Sequence, residues 1–228
     1  GADGLIGVFV PSARGSYRGL DHTSYVRSNT GTSLDDAVAA VDAMPSPEQT
    51  EAEFDFETSY GAPVPMNWEK VRGRTYPAYT EGQFDVEVAR SGRGSFCFHM
   101  HGGNCAYEYA PRRIVIEPAF DYCLAGWIRT EGLRHSQARL SLWLNDQQGR
   151  HIPGSRNTTE GLSGTRDWTR VFVHVSTRHG TDGREYERPP RFADMAMEVL
   201  GAEVQDIGGK VWFDDLHLYR IPRLRMRM

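Results

Sequence analysis

The chain has 228 residues, 39% of them hydrophobic and 11% aromatic, which supplies a sizeable core and excludes the profile of a disordered chain. A formal net charge of −4 carries no nucleic-acid footprint, and no run approaches the roughly 18 apolar residues of a membrane helix. The 26 basic residues include only two lysines, Lys70 and Lys210; the arginines are scattered along the chain rather than clustered. Three cysteines, Cys97, Cys105 and Cys123, do not make a disulfide framework, and one bridge plus a free thiol or three reduced thiols are both open.

The first 50 residues differ in character from the rest. Leu5 to Val10 reads as a short apolar strand stopped by Pro11 and followed by Gly/Ser-rich loop. Ser33 to Met44 reads as a helix: Ser33 suits an N-cap, Leu34, Ala37, Val38 and Val41 form an apolar stripe, and Pro45 and Pro47 end it. Residues 1–50 are therefore expected to be an extension, residues 51–221 the main domain, and residues 222–228 a tail leading toward further segments of a longer protein.

From residue 53 the pattern changes to period two, in short runs separated by Gly/Pro/Asn/Asp clusters. Ten strands are predicted, at 53–57, 84–88, 95–101, 105–109, 113–116, 121–130, 138–145, 168–175, 193–200 and 210–219. Such a series indicates an all-β sandwich or barrel. Residues 176–192 read as a long charged loop that is mobile or frames a site.

Alternation assigns faces. Phe96, Phe98, Met100, Tyr122, Leu124, Ile128, Leu140, Leu142, Leu144, Val171, Val173 and Val175 point to the core. The opposite positions carry Cys97, His99, His101, Cys123, Trp127, Arg129, Arg139, Trp143, Phe172 and His174, which is not an ordinary solvated face. Flat aromatics beside Arg and His suit pyranose rings and their hydroxyls; cover by the N-terminal segment would explain the same aromatics as core. If Gly102-Gly103-Asn104 is a hairpin turn, His101 lies opposite Cys105 and His99 opposite Tyr107. Cys97, His99, His101, Cys105, Tyr107 and Tyr109 then share one face, and His-x-His with a facing thiol could ligate a transition metal. No nucleophile elbow, zinc-protease helix or phosphate loop occurs.

Several stretches in order resemble the galactose-binding-like jelly-roll domains that include many carbohydrate-binding modules. They are Phe56-Glu57, Pro65-Met-Asn-Trp68, Ser91-Gly-Arg-Gly-Ser-Phe96, Tyr122-Cys-Leu-Ala-Gly-Trp127-Ile-Arg-Thr130, Asp167-Trp168-Thr-Arg-Val171 and Val211-Trp-Phe-Asp-Asp215-Leu-His-Leu218. The resemblance implies an antiparallel two-sheet jelly-roll β-sandwich, here with a short N-terminal strand and helix. It also implies a structural Ca²⁺, held by Glu57, Asp214 and a backbone carbonyl near Ser95. The expected function is that of a non-catalytic carbohydrate-binding module of a larger, exported protein. Its polysaccharide or glycan would stack on Trp127, Trp143 or Tyr107 and bond to His99, His101, Arg129 and Arg139. Two other readings stand beside it: a structural or protein-interaction sandwich, and a metal-dependent β-barrel enzyme built on His99 and His101.

Overall fold

The computed structural model describes residues 34–42, 50–57, 62–72, 80–201 and 204–222. The predicted strand at Leu5 to Val10, the helix cap Ser33 and the tail after residue 222 lie outside them. The helix is α1 (Leu34–Asp42). The strands are β1 (Thr50–Phe54), β2 (Trp68–Arg72), β3 (Glu81–Asp85), β4 (Ser95–His101), β5 (Cys105–Tyr109), β6 (Ile114–Val115), β7 (Phe120–Asn145), β8 (Asn157–Thr158), β9 (Leu162–Val175), β10 (Phe192–Leu200) and β11 (Ile207–Pro222).

Two predicted strands, 121–130 and 138–145, are one. β7 runs 26 residues. Its first half pairs with β11 from Phe120 to Glu131, and its second half pairs with β10 from Gln137 to Asn145. The strand thus belongs to two sheets. The first has the order β3-β4-β11-β7-β9, and the second β2-β5-β10-β7, with β6 beside β10 and β8 beside β7. All pairings are antiparallel, the architecture of a two-sheet jelly roll. β2 and β8 escaped the sequence reading. In β2 the charged residues Glu69, Lys70 and Arg72 hide the alternation, because the Lys70 ammonium donates to Thr80 O (2.6 Å) and Glu81 Oε1 (2.8 Å).

The bend of β7 between its halves leaves backbone amides without ladder partners. The carboxylate of Asp206 takes them: Arg134 N and His135 N donate to Oδ1 (3.0 and 3.1 Å), and His135 N and Ser136 N to Oδ2 (3.0 and 2.7 Å). A second irregularity serves β11. An extra residue between Asp214 and His217 places Asp215 at φ 49° and switches the neighbour of β11 from β4 to β1. The bulge keeps Phe213, Leu216 and Leu218 all inward. The core between the sheets contains the inward set assigned by alternation, joined by Trp68, Tyr107, Met195, Met197 and Val199. The three cysteines are buried and free, and burial pushes each thiol up to about 12.

α1 lies on the outside of the first sheet. Ala37 packs against Cys123 and Ile221, with Phe172 and Tyr219 beside them, and Asp42 Oδ1 accepts from Arg170 Nη1 (2.7 Å). That end of the sheet's second face is therefore covered. The 176–192 loop is held in place: Tyr186 Oη donates to Ser176 O (3.2 Å), Thr181 N to Gly154 O (2.9 Å), and Arg188 Nη1 to Asp146 Oδ2 (2.7 Å).

Two outcomes follow from this architecture. Burial pushes the Asp206 carboxyl up, but the amides of Arg134, His135 and Ser136 outweigh it and hold the group below its ordinary value. A depressed folded value means stability present above the unfolded value of about 3.9 and lost as pH falls through the folded one. Asp206→Asn, which loses the charge, is expected to lower stability by about 1–3 kcal/mol at pH 7 and to flatten the acid limb of a denaturation series. The thiols are expected to stay silent to a disulfide reagent at pH 8 and to react as three only on unfolding.

Candidate functional site

The clearest convergence of polar chemistry is the outer face of the second sheet. Register puts Trp143 opposite Asp194, Ser141 opposite Ala196 and Arg139 opposite Glu198 across β7 and β10, with Glu108 opposite Ala196 across β10 and β5. Small residues, Ala106, Ala196 and Ser141, line its middle. Glu198 is only 1% exposed. Arg139 Nε donates to its Oε2 (2.9 Å), and Arg156 Nη2 donates to its Oε1. The Arg156 guanidinium also lies 4.3 Å from the Trp143 ring centroid. Asp194 accepts from Asn145 Nδ2 and from Arg112 N (3.3 Å). Ser141 Oγ, fully buried, has no hydrogen-bond partner among the described residues. Burial pushes the Glu108 and Asp194 carboxyls up, and for Glu108 the neighbouring Asp194 and Glu198 add to it against Arg156.

This face offers fixed donors and acceptors at several heights above a small-residue floor, an arrangement that hydrogen-bonds hydroxyls. Of the sequence-predicted residues it holds Trp143 and Arg139. The sequence reading missed Glu198, Asp194, Arg156, Asn145, Glu108 and Ser141. A signal was there: Asp194 and Glu198 interrupt the apolar run of 193–200 on one face of that strand.

The other predicted residues stand elsewhere. Trp127, Arg129, His99 and His101 are on the outer face of the first sheet. Trp127 carries the Arg90 guanidinium 4.3 Å above its ring, so neither predicted tryptophan presents two bare faces. Tyr107 is core: it is 1% exposed, ringed by Phe96 and Phe98, and its hydroxyl accepts from Gly82 N (2.9 Å) and donates to Glu81 Oε2 (3.4 Å). The predicted hairpin does not form. β4 pairs with β3 and β11, while β5 pairs with β2 and β10, so Gly102-Gly103-Asn104 is a link between sheets. Both glycines have positive φ, as a tight turn needs, but the link is held by Thr80 Oγ1 donating to Gly102 O (3.0 Å) and Gly103 N donating to Gln205 Oε1 (3.1 Å) instead of by a ladder. The shared face of Cys97, His99, His101, Cys105, Tyr107 and Tyr109 is thereby overturned. His99 meets Gln83 Nε2 (3.2 Å), and burial and then Lys210 lower its pKa. Among the described residues no group of three His, Cys, Asp or Glu side chains is placed to hold a metal.

Glu57 and Asp214 flank one turn. Arg90 N and Ser91 N donate to Asp214 Oδ2 (2.7 and 3.4 Å), and Arg93 N donates to Glu57 Oε2 (2.7 Å). The Glu57 carboxylate lies where a Cβ on Gly92 would stand, so only glycine leaves it room. Glu57 Oε1 is buried without a partner among the described residues. Asp214 is pushed up to about 6 by burial and by Asp215. An orphaned carboxylate oxygen across one turn from a second, buried carboxylate, with the Phe56 carbonyl facing Gly94, is chemistry that fits a hard cation. Ser95 points its hydroxyl the other way, donating to Val88 O (2.5 Å).

No protein-family model matches the chain. Over 119 residues, 51% of the chain, it is 28% identical to the tRNA nuclease WapA of Bacillus subtilis strain 168, and over the same length 27% identical to the tRNA3(Ser)-specific nuclease WapA of Bacillus spizizenii. The match spans 4% of each of those proteins. Among solved structures, the CBM22-1 xylan-binding domain of Paenibacillus barcinonensis Xyn10C superposes with a TM-score of 0.50 at 12% identity, over 75% of this chain and 94% of that one. The enzymatically active domain of bacteriophage CBA120 tailspike protein 4 superposes with a TM-score of 0.52 at 13% identity, over 77% of this chain and 22% of that one. With two antiparallel sheets joined through β7 and closed by the bulged β11, the chain has a two-sheet jelly-roll fold, the fold it shares with that xylan-binding domain.

Proposed function

We propose that this chain is a non-catalytic polysaccharide-binding module whose ligand lies on the outer face of the second sheet. The observation that carries the reading is Glu198, a buried carboxylate on a sheet's outer face, clamped by Arg139 and Arg156 beside Asp194, Asn145 and the unpartnered Ser141 Oγ. Desolvating such a group costs stability unless a function repays it. Hydroxyls of a sugar chain would find donors in the two arginines and Asn145 and acceptors in Glu108 and Asp194. Trp143 serves as the platform that holds Arg156 over the face. The likeness in fold to a xylan-binding domain makes xylan the first polymer to try.

The module belongs to a larger exported protein in this reading. Two things support that: the matched relatives are far longer than the matched segment, and structural polysaccharides are met outside the cell. A structural Ca²⁺ at Glu57 and Asp214, completed by backbone carbonyls near Ser95, would hold the 90–93 turn against β11. It would also bring the Asp214 carboxyl back down, since a cation favours the charged form.

Retention on insoluble xylan and other plant or bacterial wall polymers tests the binding. Glu198→Gln is expected to weaken it by about tenfold or more, because Arg139 and Arg156 lose the carboxylate that aims them, and to cost about 3 kcal/mol of stability with the protein still folded at the assay temperature. Trp127→Ala is expected to leave it unchanged. Full retention by Glu198→Gln together with Trp143→Ala would remove the second sheet as the site. For the cation, Ca²⁺ added to the EDTA-treated protein at a hundredfold its dissociation constant should raise stability by about 2.7 kcal/mol. That gain should vanish in Glu57→Gln.

A further inference from the structure

We infer that the part of the first sheet's outer face beyond α1, where Arg90 is exposed and Trp127, Arg129 and Lys210 are half-exposed, is a second ligand surface, made for an anionic polysaccharide. α1 covers the end of this face at Cys123, Phe172 and Tyr219. Beyond it, cross-strand rows carry cations on indole rings. Trp127, opposite Asp214, lies under Arg90 at 4.3 Å. One row on, Arg129 is opposite Trp212 and its guanidinium is 5.3 Å from that ring. In the next row Lys210 Nζ lies 5.8 Å from the same ring. The Trp212 indole is 2% exposed and fixed by donating Nε1–H to Asp85 Oδ2 (2.8 Å). Successive rows are two residues apart, about 7 Å.

Among the described residues, the heads of Arg90, Arg129 and Lys210 have no hydrogen bond and no ion pair. That separates them from Arg139, Arg156, Arg170, Arg178 and Arg188, each of which holds a carboxylate. The nearby acids are engaged or peripheral. Asp85 accepts from Trp212 and also feels the Lys210 charge, Asp214 takes backbone amides, Glu131 lies directly opposite Lys210 across the strands, and Glu81 is paired with His99. A guanidinium placed over a ring still has N–H groups at the rim of its own plane, where a carboxylate, sulfate or phosphate docks with two parallel bonds. The rings hold the cations in place before any ligand arrives, so little side-chain entropy remains to be lost on binding.

A neutral glycan would leave these charges without a role. A nucleic acid would need bare aromatic faces for its bases, and on Trp127 and Trp212 the cations occupy them. A linear polysaccharide bearing acidic groups satisfies both the charge and the repeat. The residues are distinct from those of the second-sheet face, so each surface stands or falls alone.

Affinity electrophoresis of the full chain at low ionic strength tests the inference, in gels holding polygalacturonate (carboxylate), dextran sulfate (sulfate) or neutral xylan, with single-stranded DNA as a further arm. The protein is expected to be retarded by at least one acidic polysaccharide, less so as salt is raised. The gels that retard it identify the acidic group. Arg90→Gln combined with Arg129→Gln should weaken that retardation about tenfold or more, while Arg90→Lys with Arg129→Lys recovers part of it. Lys210→Gln provides an independent second variant. Glu198→Gln should not affect it, and the double Gln variant should not affect retention on neutral polymers. The inference is overturned by an unretarded wild type, by retardation indifferent to the double variant, or by DNA binding of equal strength that the same substitutions abolish.

Discussion

Asp206 is the contact on which the arrangement of the two sheets rests. A strand that passes from one sheet into another must turn, and where it turns its amides lose their ladder partners; buried, each would cost on the order of 1–3 kcal/mol. One carboxylate takes three consecutive amides, Arg134, His135 and Ser136, from across the chain. β7 can therefore keep Leu124 and Ile128 in the core before the bend and Leu140, Leu142 and Leu144 after it. The outward residues of its two halves consequently look away from each other. Trp127 and Arg129 serve one surface and Arg139 and Trp143 another, although they sit within 17 positions on one strand.

Three tryptophans on the outer faces are paired with cations: Trp143 with Arg156, Trp127 with Arg90, and Trp212 with Arg129 and Lys210. Each contact is worth about 0.5–2 kcal/mol, according to exposure, and each replaces a bare ring with a ring that aims a donor. This changes the recognition chemistry expected from the aromatics alone. Stacking a pyranose on either predicted tryptophan requires moving an arginine first, whereas hydrogen bonding through the arginine requires nothing to move.

Period two was legible wherever one face of a strand is apolar, and β4, β5 and β10 lie within a residue of their predicted limits. Partnership between strands was not. Gly102-Gly103-Asn104 has the residue types of a hairpin turn, and the backbone does turn there, yet local turn chemistry is the same whether the chain folds back on its own sheet or crosses to the other. What decides is tertiary: Phe98 packs against Phe213 from β11, and Tyr107 sends its hydroxyl to Gly82 of β3 across the core. The charged clusters were hidden for the same reason. Arg90, Arg129 and Lys210 are 120 residues apart end to end and look scattered, and Glu198 meets Arg139 and Arg156 through strand pairing alone. Alternation identifies which residues point outward; only register shows which of them meet.

The turn at residues 90–93 ties these features together. Asp214 Oδ2 accepts the amide of Arg90, the residue whose guanidinium lies on Trp127, and Glu57 accepts the amide of Arg93 three positions on. Asp215, at the bulge that lets β11 change partners, accepts the Ser91 hydroxyl (2.9 Å). A single short turn is thus gripped by the opening segment and the closing strand of the sandwich. Its geometry sets where Arg90 stands on the outer face. The two carboxylates that could share a cation are the same ones that position the first cation of the exposed row, so anything that shifts them, protonation of Asp214 included, acts on that row through the backbone of the turn and not through the core.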